Sequence, residues 1–372
     1  MKRLALFGLL ASTLLLVVLS CSKSNKNNNS STPTSGGGDS ILANIGNNII
    51  MPGYQGLATA VNSLDSAITD FNAGATSGKL SNVQGLFKNA YMAWEAVEEF
   101  DYIGAASTVQ PVLSGLDIFP TSESLIDGNI ASANYNVNTF ANTAAKGFPA
   151  LDYLLFGGNV VVNYTTDAQA VSRQKYLAAV SLDIKTEVNA VLTQWTSTYL
   201  KTFLSGSGNS VSSSLGLLIN SMDQDFEILK NNRLGVPLGK IPVGTTAPVA
   251  PKEVEAYYSG ISSALALAQL KAVQGLYLGT AGKGNGLGLA NYLINAKSTY
   301  NGGQLSDTIR VAFAANVTAM QAVADPLSQT LQTNFASPFA AFAQSQKMVA
   351  FLKADMPSAL GVLITYGDND GD

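Results

Sequence analysis

The sequence predicts an all-α protein built from two packed helical bundles. Apolar residues recur every three or four positions along most of the chain, which places them on one face of a helix. Strict alternation of apolar and polar residues, the pattern of a half-buried strand, is scarce, and residues 159–164 are its best candidate. Many of the 34 glycines fall in clusters between the apolar stretches, where we expect loops.

Composition excludes several classes of enzyme. The 372 residues include no histidine and one cysteine, and the net charge is −4. Without histidine there is no Ser-His-Asp triad, no Cys-His dyad and no zinc site of the usual kind. A single cysteine allows no internal disulfide. Because the chain is weakly acidic and its basic residues are scattered, we expect no binding to nucleic acid.

Residues 1–20 are predicted to be a lipoprotein signal peptide. Lys2 and Arg3 precede an apolar run that is short for a membrane span, which needs roughly 20 apolar residues. The run ends in Val-Leu-Ser-Cys, a lipobox in which Cys21 is acylated. The alternative is an ordinary secretory signal with a coincidental cysteine. We therefore expect an exported protein anchored by lipid at Cys21 to the outer membrane of the cell envelope, in the periplasm or on the surface.

The rest of the chain divides into a tether and two predicted domains. Residues 21–40 consist largely of Ser, Asn, Lys, Thr and Gly, a composition typical of a flexible tether. The remaining length suggests two domains. A Gly/Ser-rich break near residue 205 gives an N-terminal helical bundle over residues 41–205 and a C-terminal helical bundle over residues 206–372.

Six apolar stripes predict the main helices. They cover residues 57–71, 176–199, 215–229, 258–277, 305–327 and 339–351, and the fifth is expected to end near Asp325-Pro326. The glycine clusters at 206–208, 279–288 and 302–303 are predicted loops. Residues 282–286 lack the preceding strand of a phosphate-binding loop, so we expect a turn. The acidic residues 368–372 mimic the start of a calcium loop that has no position 12, so we expect a solvated tail.

Two acidic segments are candidates for chemistry. Residues 90–101 are predicted as one helix on which Glu95 shares a face with Glu98 and Glu99. Such a face is either solvated or neutralised by a cation. A second acidic segment, residues 117–127, includes Glu123 and Asp127. Because residues 121–123 after Pro120 also resemble a helix start, capping is the alternative role for Ser122 and Glu123.

A third segment, residues 147–157, reads Gly-Phe-Pro-Ala-Leu-Asp-Tyr-Leu-Leu-Phe-Gly. It resembles the signature of the imelysin family, secreted helical proteins filed as peptidases and linked to bacterial iron uptake. That signature is Gly-x-His-x-x-Glu followed by an aromatic residue, two leucines and an aromatic-Gly pair. This chain has Gly147, Pro149 and Asp152 at the three motif positions, followed by Tyr-Leu-Leu-Phe-Gly. Further similar segments occur in the same order at residues 98–102, 118–127, 173–183 (beginning with Arg173), 232–238 and 258–259.

The resemblance implies a metal site that this chain has altered. In the family motif the histidine and the glutamate point from one helix face to a common site. Pro149 offers no ligand atom, although proline is favourable in the first turn of a helix, and Asp152 keeps a carboxylate. An oxygen-only site of Asp152 and Glu98, with Glu123 or Asp127, would suit a hard divalent cation or iron. The alternative is that Asp152 is buried and paired with Arg173 or another cation.

Three functions remain open on the sequence. The favoured one is a non-catalytic imelysin-like lipoprotein that binds a metal ion or an envelope protein partner in the cleft between the bundles and is linked to iron uptake. The second is a metallopeptidase, as the family label implies, although the chain lacks histidine to hold a catalytic metal. The third is a partner-binding surface protein that has lost its ancestral metal site.

Overall fold

The computed structural model describes residues 35–104, 115–241 and 247–365, which are almost entirely helical. The predicted all-α class is confirmed, and these residues pack as one compact unit. The division into bundles near residue 205 stays a prediction. The signal peptide, Cys21, most of the predicted tether and the acidic tail lie outside the described residues. Among the described helices, none combines the length and the apolar character that crossing a bilayer requires.

Three helices open the described part of the chain, and the second of them packs against the third and against a long helix from later in the chain. They are α1 (Ser35–Asn44), α2 (Met51–Asn72) and α3 (Ser77–Glu95), and the π-helical segment Ile45–Ile50 joins α1 to α2. Because α1 begins at Ser35, residues 35–40 of the predicted tether are helical. Packing explains this helix, since the Tyr292 hydroxyl donates to the Gly38 carbonyl at 3.2 Å.

The described residues of the N-terminal half contain five more helices. They are α4 (Glu123–Ser132), α5 (Gly147–Phe156), α6 (Val160–Asn163), α7 (Ala170–Gln194) and α8 (Leu200–Ser205), with 3-10 turns at Glu98–Phe100 and Phe140–Ala145 and a π-helical segment at Trp195–Tyr199. The strand considered at residues 159–164 is wrong, because this segment forms α6. Its single turn closes with the Tyr164 N–H donating to the Val160 carbonyl at 3.1 Å.

The C-terminal half adds seven helices and a small hairpin. The helices are α9 (Ser214–Ile228), α10 (Ser262–Leu278), α11 (Leu289–Asn295), α12 (Leu305–Gln321), α13 (Leu327–Thr333), α14 (Ala336–Ala350) and α15 (Met356–Leu360). The π-helical segments are Leu229–Gly235 and Phe351–Asp355. Strands β1 (Thr299–Tyr300) and β2 (Gly303–Gln304) pair antiparallel. The glycine cluster at 279–288 lies between α10 and α11, as predicted.

The fifth predicted helix ends earlier than expected. α12 stops at Gln321, and Leu327 begins α13. The intervening Asp325 has another role, because its carboxylate accepts the N–H groups of Ser263 at 2.7 Å and Ala264 at 3.0 Å and so caps the start of α10.

The predicted apolar stripes form the core. On α2 the five predicted positions, Leu57, Val61, Leu64, Ile68 and Phe71, are all buried. α2 packs against α3 and α7, while α3 also contacts α10. α3 therefore lies between elements of both halves of the chain, and its C-terminal end brings polar side chains to that junction.

Candidate functional site

Arg233 lies at the centre of a buried acidic cluster, which we define as Glu95, Glu98, Asp117 and Glu255. The guanidinium contacts all four carboxylates: Nη1 lies 2.7 Å from Glu95, Nη2 lies 2.8 Å from Glu98 and 2.9 Å from Asp117, and Nε lies 2.6 Å from Glu255. Only 2% of the Arg233 side chain is exposed. One cation therefore contacts carboxylates from three separate segments of the chain.

Helix α3 positions the cluster through one of its faces. Tyr91, Trp94 and Glu95 are three and four residues apart, so they point to the same side. The Tyr91 hydroxyl and the Trp94 indole N–H both donate to the Asp117 carboxylate, the latter at 3.3 Å. Arg233 itself comes from the π-helical segment Leu229–Gly235, which extends α9. π-helical turns often occur at functional sites.

Burial leaves the cluster with more acid than one guanidinium can neutralise. Desolvation raises the pKa of Glu95 and Glu255 well above the ordinary value, although Arg233 opposes the shift. The same cause raises the pKa of Glu98 to about 7. Desolvation by itself lowers the pKa of Arg233, but the neighbouring carboxylates outweigh it, so the guanidinium stays charged. The cluster therefore holds protons near neutral pH or takes up another cation.

A cavity of about 170 Å³, here called the acidic cavity, adjoins the cluster. Glu98, Asp101 and Asp117 line it, together with Tyr102 and Asn232. Asp101 is 3% exposed, and its Oδ1 has no hydrogen-bond partner among the described residues. Burial, with Glu98 and Glu187 nearby, raises the pKa of Asp101 to about 8. The cavity is thus lined by a buried carboxyl group that has one oxygen without a partner among the described residues.

A second cavity, of about 190 Å³, is here called the motif cavity because Pro149 and Asp152 line it. The other lining residues come from the segment before α4 and from the loop before α10: Phe119, Pro120, Thr121, Glu123, Lys252, Glu253, Val254, Ala256, Tyr257 and Tyr258. Phe119 lines both cavities, so the two are adjacent.

The motif residues have structural partners. Gly147 has φ +73°, and a Cβ there would lie 2.2 Å from the Leu116 carbonyl oxygen, so only glycine fits. Pro149 lies in the first turn of α5, as predicted. Both oxygens of Asp152 accept backbone N–H groups, from Tyr258 at 2.8 Å and Ser259 at 2.9 Å. Burial raises the pKa of Asp152 to about 6, and these hydrogen bonds oppose the shift.

The structure distributes the four predicted metal ligands over three places. Asp152 and Glu123 line the motif cavity, and the Glu123 carboxylate accepts the Tyr258 hydroxyl. Glu98 belongs to the acidic cluster. Asp127 is half exposed, accepts the Tyr153 hydroxyl at 3.0 Å and lies 3.8 Å from Arg173. The alternative pairing of Asp152 with Arg173 is therefore wrong, because Arg173 faces Asp127.

The helix predicted over residues 90–101 is also wrong in extent. α3 ends at Glu95, and Glu98 and Glu99 lie in the 3-10 turn that follows. All three glutamates are buried, so the interpretation as a solvated face is wrong as well. Capping by Ser122 is confirmed, since its side chain accepts the Leu125 N–H at 3.4 Å, and Glu123 occupies the first turn of α4.

Sequence reasoning gave no role to Arg233 or Glu255. Arg233 lies within residues 232–238, one of the segments that resemble the imelysin family. One feature of the sequence nevertheless indicates that its side chain is buried. It is one of four arginines in the chain and directly precedes Leu234 in a stretch that continues the apolar stripe of α9. An arginine at such a position needs a buried counter-charge. Nothing in the sequence near Glu255 pairs it with that arginine.

Comparison with known proteins shows where this fold occurs. The imelysin family model, a peptidase family by its label, matches residues 50–347. The fold is similar to that of a protein from Parabacteroides distasonis ATCC 8503 described as an iron-regulated protein A precursor, at 16% identity and TM-score 0.73, covering 88% of this chain and 96% of that one. It is also similar to an imelysin-like protein from Psychrobacter arcticum 273-4, at 17% identity and TM-score 0.67, covering 89% and 98%. No curated protein matches the sequence.

Proposed function

Since this chain belongs to the imelysin family, we propose that it is a non-catalytic binding protein of the cell envelope that holds a hard divalent cation in the acidic cavity beside Arg233. The observation that carries the proposal is Asp101, a buried carboxylate that lines that cavity and has one oxygen without a hydrogen-bond partner among the described residues. Two more carboxylates, of Glu98 and Asp117, line the same space.

Charge and ligand chemistry support this assignment. Four carboxylates of the cluster share one guanidinium, so Arg233 compensates a single negative charge. Carboxylate, carbonyl and water oxygens are the ligands that calcium, magnesium and manganese prefer. Asn232 adds an amide to the cavity wall. A divalent cation there would replace protons on Glu98 and Asp101 and relieve the excess of buried acid.

The motif cavity does not fit the metal that the family signature implies. Pro149 has no ligand atom, and both Asp152 oxygens are committed to backbone N–H groups. Histidine ligands normally hold a catalytic metal and leave one coordination position open for a water molecule, which the metal activates. The donor set of the motif cavity therefore supports a binding role over the metallopeptidase alternative.

Metal analysis tests the cation site. We expect purified protein to bind Ca²⁺ or Mn²⁺ in calorimetric titrations at pH 7.5 and to release the ion to a chelator. Asp101→Asn should weaken binding about tenfold or more, because it removes a charged ligand. Asp127→Asn, a half-exposed carboxylate outside both cavities, is the matched control and should bind as wild type. Absence of any bound ion, or equal affinity in Asp101→Asn, would sink the proposal.

Iron belongs in the same titration. A structural relative is described as iron-regulated, and we extend that link to this chain as part of the proposal. Selective binding of iron over Ca²⁺ and Mn²⁺ would assign the cation as iron. Chelator-sensitive cleavage of a protein substrate that Asp101→Asn abolishes would support the metallopeptidase instead.

The envelope location rests on the N-terminal sequence. We propose that Cys21 is lipidated and anchors the protein to the outer membrane. Cells that express the wild type and are fed a labelled fatty acid should yield labelled protein, whereas Cys21→Ser should yield none. Equal labelling of the two proteins would contradict the anchor at Cys21.

A further inference from the structure

We propose that the motif cavity binds a small quaternary ammonium cation. This inference goes beyond the cation site beside Arg233, because the motif cavity has its own lining and its own chemistry. The walls, the charge and the donor set of the cavity each point to an organic cation.

Aromatic and proline side chains form the apolar walls. The rings of Tyr257 and Tyr258 lie 5.2 Å apart at 88°, so their planes form a corner. Phe119, Pro120 and Pro149 also line the cavity. Aromatic faces attract weakly hydrated cations through the ring quadrupole, and aromatic cages commonly recognise quaternary ammonium groups.

The ionisable side chains of the lining give a net negative charge. Glu123, Asp152 and Glu253 contribute three carboxylates, and Lys252 contributes one ammonium group. A bound cation therefore meets a favourable field, whereas a bound anion would rely on Lys252 alone.

Hydrogen bonding within the cavity wall favours an organic cation over a metal ion as the ligand. The Asp152 oxygens accept two N–H groups, and the Glu123 carboxylate accepts the Tyr258 hydroxyl. Few oxygens remain for a hard cation, which takes six or more ligands. A trimethylammonium group needs no hydrogen-bond partner and can use the ring faces and the charge. The cavity, at about 190 Å³, is smaller than the roughly 300–1,000 Å³ typical of drug-sized ligands, so the ligand is small.

A pair of isosteric probes tests whether the positive charge of the ligand contributes to binding. Choline and 3,3-dimethylbutan-1-ol have the same shape, but only choline is charged. Calorimetry on metal-free full-length protein should show choline binding about tenfold or more tighter than the alcohol, given the strength of desolvated cation–π contacts. Equal binding of the two probes, or no binding of choline, would overturn the proposal.

Variants test the location. Tyr257→Leu removes one wall of the corner and should reduce choline affinity about tenfold. Tyr300→Leu removes a partly exposed tyrosine of β1 that lies outside the cavity, and it should leave choline binding unchanged. Circular dichroism verifies that both variants are folded. Wild-type affinity in Tyr257→Leu, or an equal loss in Tyr300→Leu, would exclude the motif cavity as the site.

Vesicles distinguish a free small molecule from a lipid headgroup, since both can carry the trimethylammonium group. Sedimentation with phosphatidylcholine vesicles, but not with phosphatidylglycerol vesicles, that is lost in Tyr257→Leu would assign the headgroup. Choline binding without sedimentation would assign a free cation. Loss of the metal site in Asp101→Asn should leave choline binding intact, so the two proposals fail independently.

Discussion

The acidic cluster adjoins the acidic cavity, which shares Phe119 with the motif cavity, yet the cluster and the motif cavity neutralise buried carboxylates in different ways. In the cluster, four carboxylates rely on the single guanidinium of Arg233. At the motif cavity, Asp152 relies on two backbone N–H groups, of Tyr258 and Ser259. Only substitution by proline removes a backbone donor, whereas most substitutions of an arginine remove its charge. We therefore expect the stability of the cluster to be more sensitive to substitution and to pH than that of the motif cavity.

Removal of the Arg233 guanidinium should cause the largest loss of stability among the substitutions considered. Arg233→Met leaves four buried carboxylates without their cation, so we expect a loss of about 3–5 kcal/mol in the free energy of unfolding, or failure to fold. Arg310→Met, which breaks an exposed pair with Asp307, should cost about 1 kcal/mol or less. Urea denaturation of both variants measures the contrast. Similar losses in the two would show that the cluster does not depend on Arg233.

Stability should also change with pH because of the acidic cavity. Burial raises the folded-state pKa of Asp101 from 3.8 to about 8 and that of Glu98 from 4.5 to about 7. The folded state thus holds these protons more tightly than the unfolded state does, so the stability they contribute is present at acidic pH and is lost as the pH rises towards 8.

Between pH 5 and pH 8 we expect a decrease of roughly 4–6 kcal/mol in the free energy of unfolding of the metal-free protein, summed over Asp101 and Glu98. Urea denaturation at the two values measures it. Asp101→Asn should flatten the dependence, whereas Asp127→Asn should keep it. An increase in stability over this range would contradict the proposed protonation of the cavity.

Substitution of Asp152, whose carboxylate accepts backbone N–H groups, should reduce stability less than substitution of Arg233. Asp152→Asn replaces one acceptor oxygen with an amide that faces an N–H donor, so we expect a loss of about 1–3 kcal/mol. Differential scanning calorimetry at pH 7.5 measures the shift in melting temperature. A loss as large as that of Arg233→Met would erase the distinction between the two regions.

The smallest expected effect comes from restoring the family histidine. Pro149→His puts an imidazole in the motif cavity, but both Asp152 oxygens remain engaged, so we expect no tight zinc binding. Adding Asp152→Glu completes the family motif and should not change that result. Zinc titration followed by calorimetry is the measurement. Micromolar affinity in either variant would show that the motif cavity retains a usable metal site.

The predictable parts of the molecule are those that local pattern controls. Periodic apolar residues predicted the helices, as on α2, and Pro149 was placed in a first helical turn from local chemistry. The end of α3 at Glu95 was missed because the acidic face of residues 90–101 continues the helical spacing. At that end Glu95 and Glu98 contact Arg233, a residue more than 130 positions away, and the spacing within residues 90–101 cannot indicate such a partner.

The site shows the same limit. Glu98 was a candidate ligand, but its neighbours Asp101, Asp117 and Arg233 come together only through tertiary packing. Spacing along one helix cannot identify partners from separate segments. The pairing of Arg173 with Asp127 rather than Asp152 is a further case, since either carboxylate suited the arginine in sequence terms.

The large sequence separation of the Arg233 contacts also has a consequence for the kinetics of folding. Its contacts to Glu95 and Glu98 close loops of 138 and 135 residues, and Glu255 lies 22 residues further along the chain. Contacts this distant form late, because the entropy of closing a long loop must be overcome first. While the polypeptide emerges, the early carboxylates stay hydrated and mutually repulsive. Assembly of the cluster therefore waits for the second half of the chain, which makes it a marker for the final stage of folding.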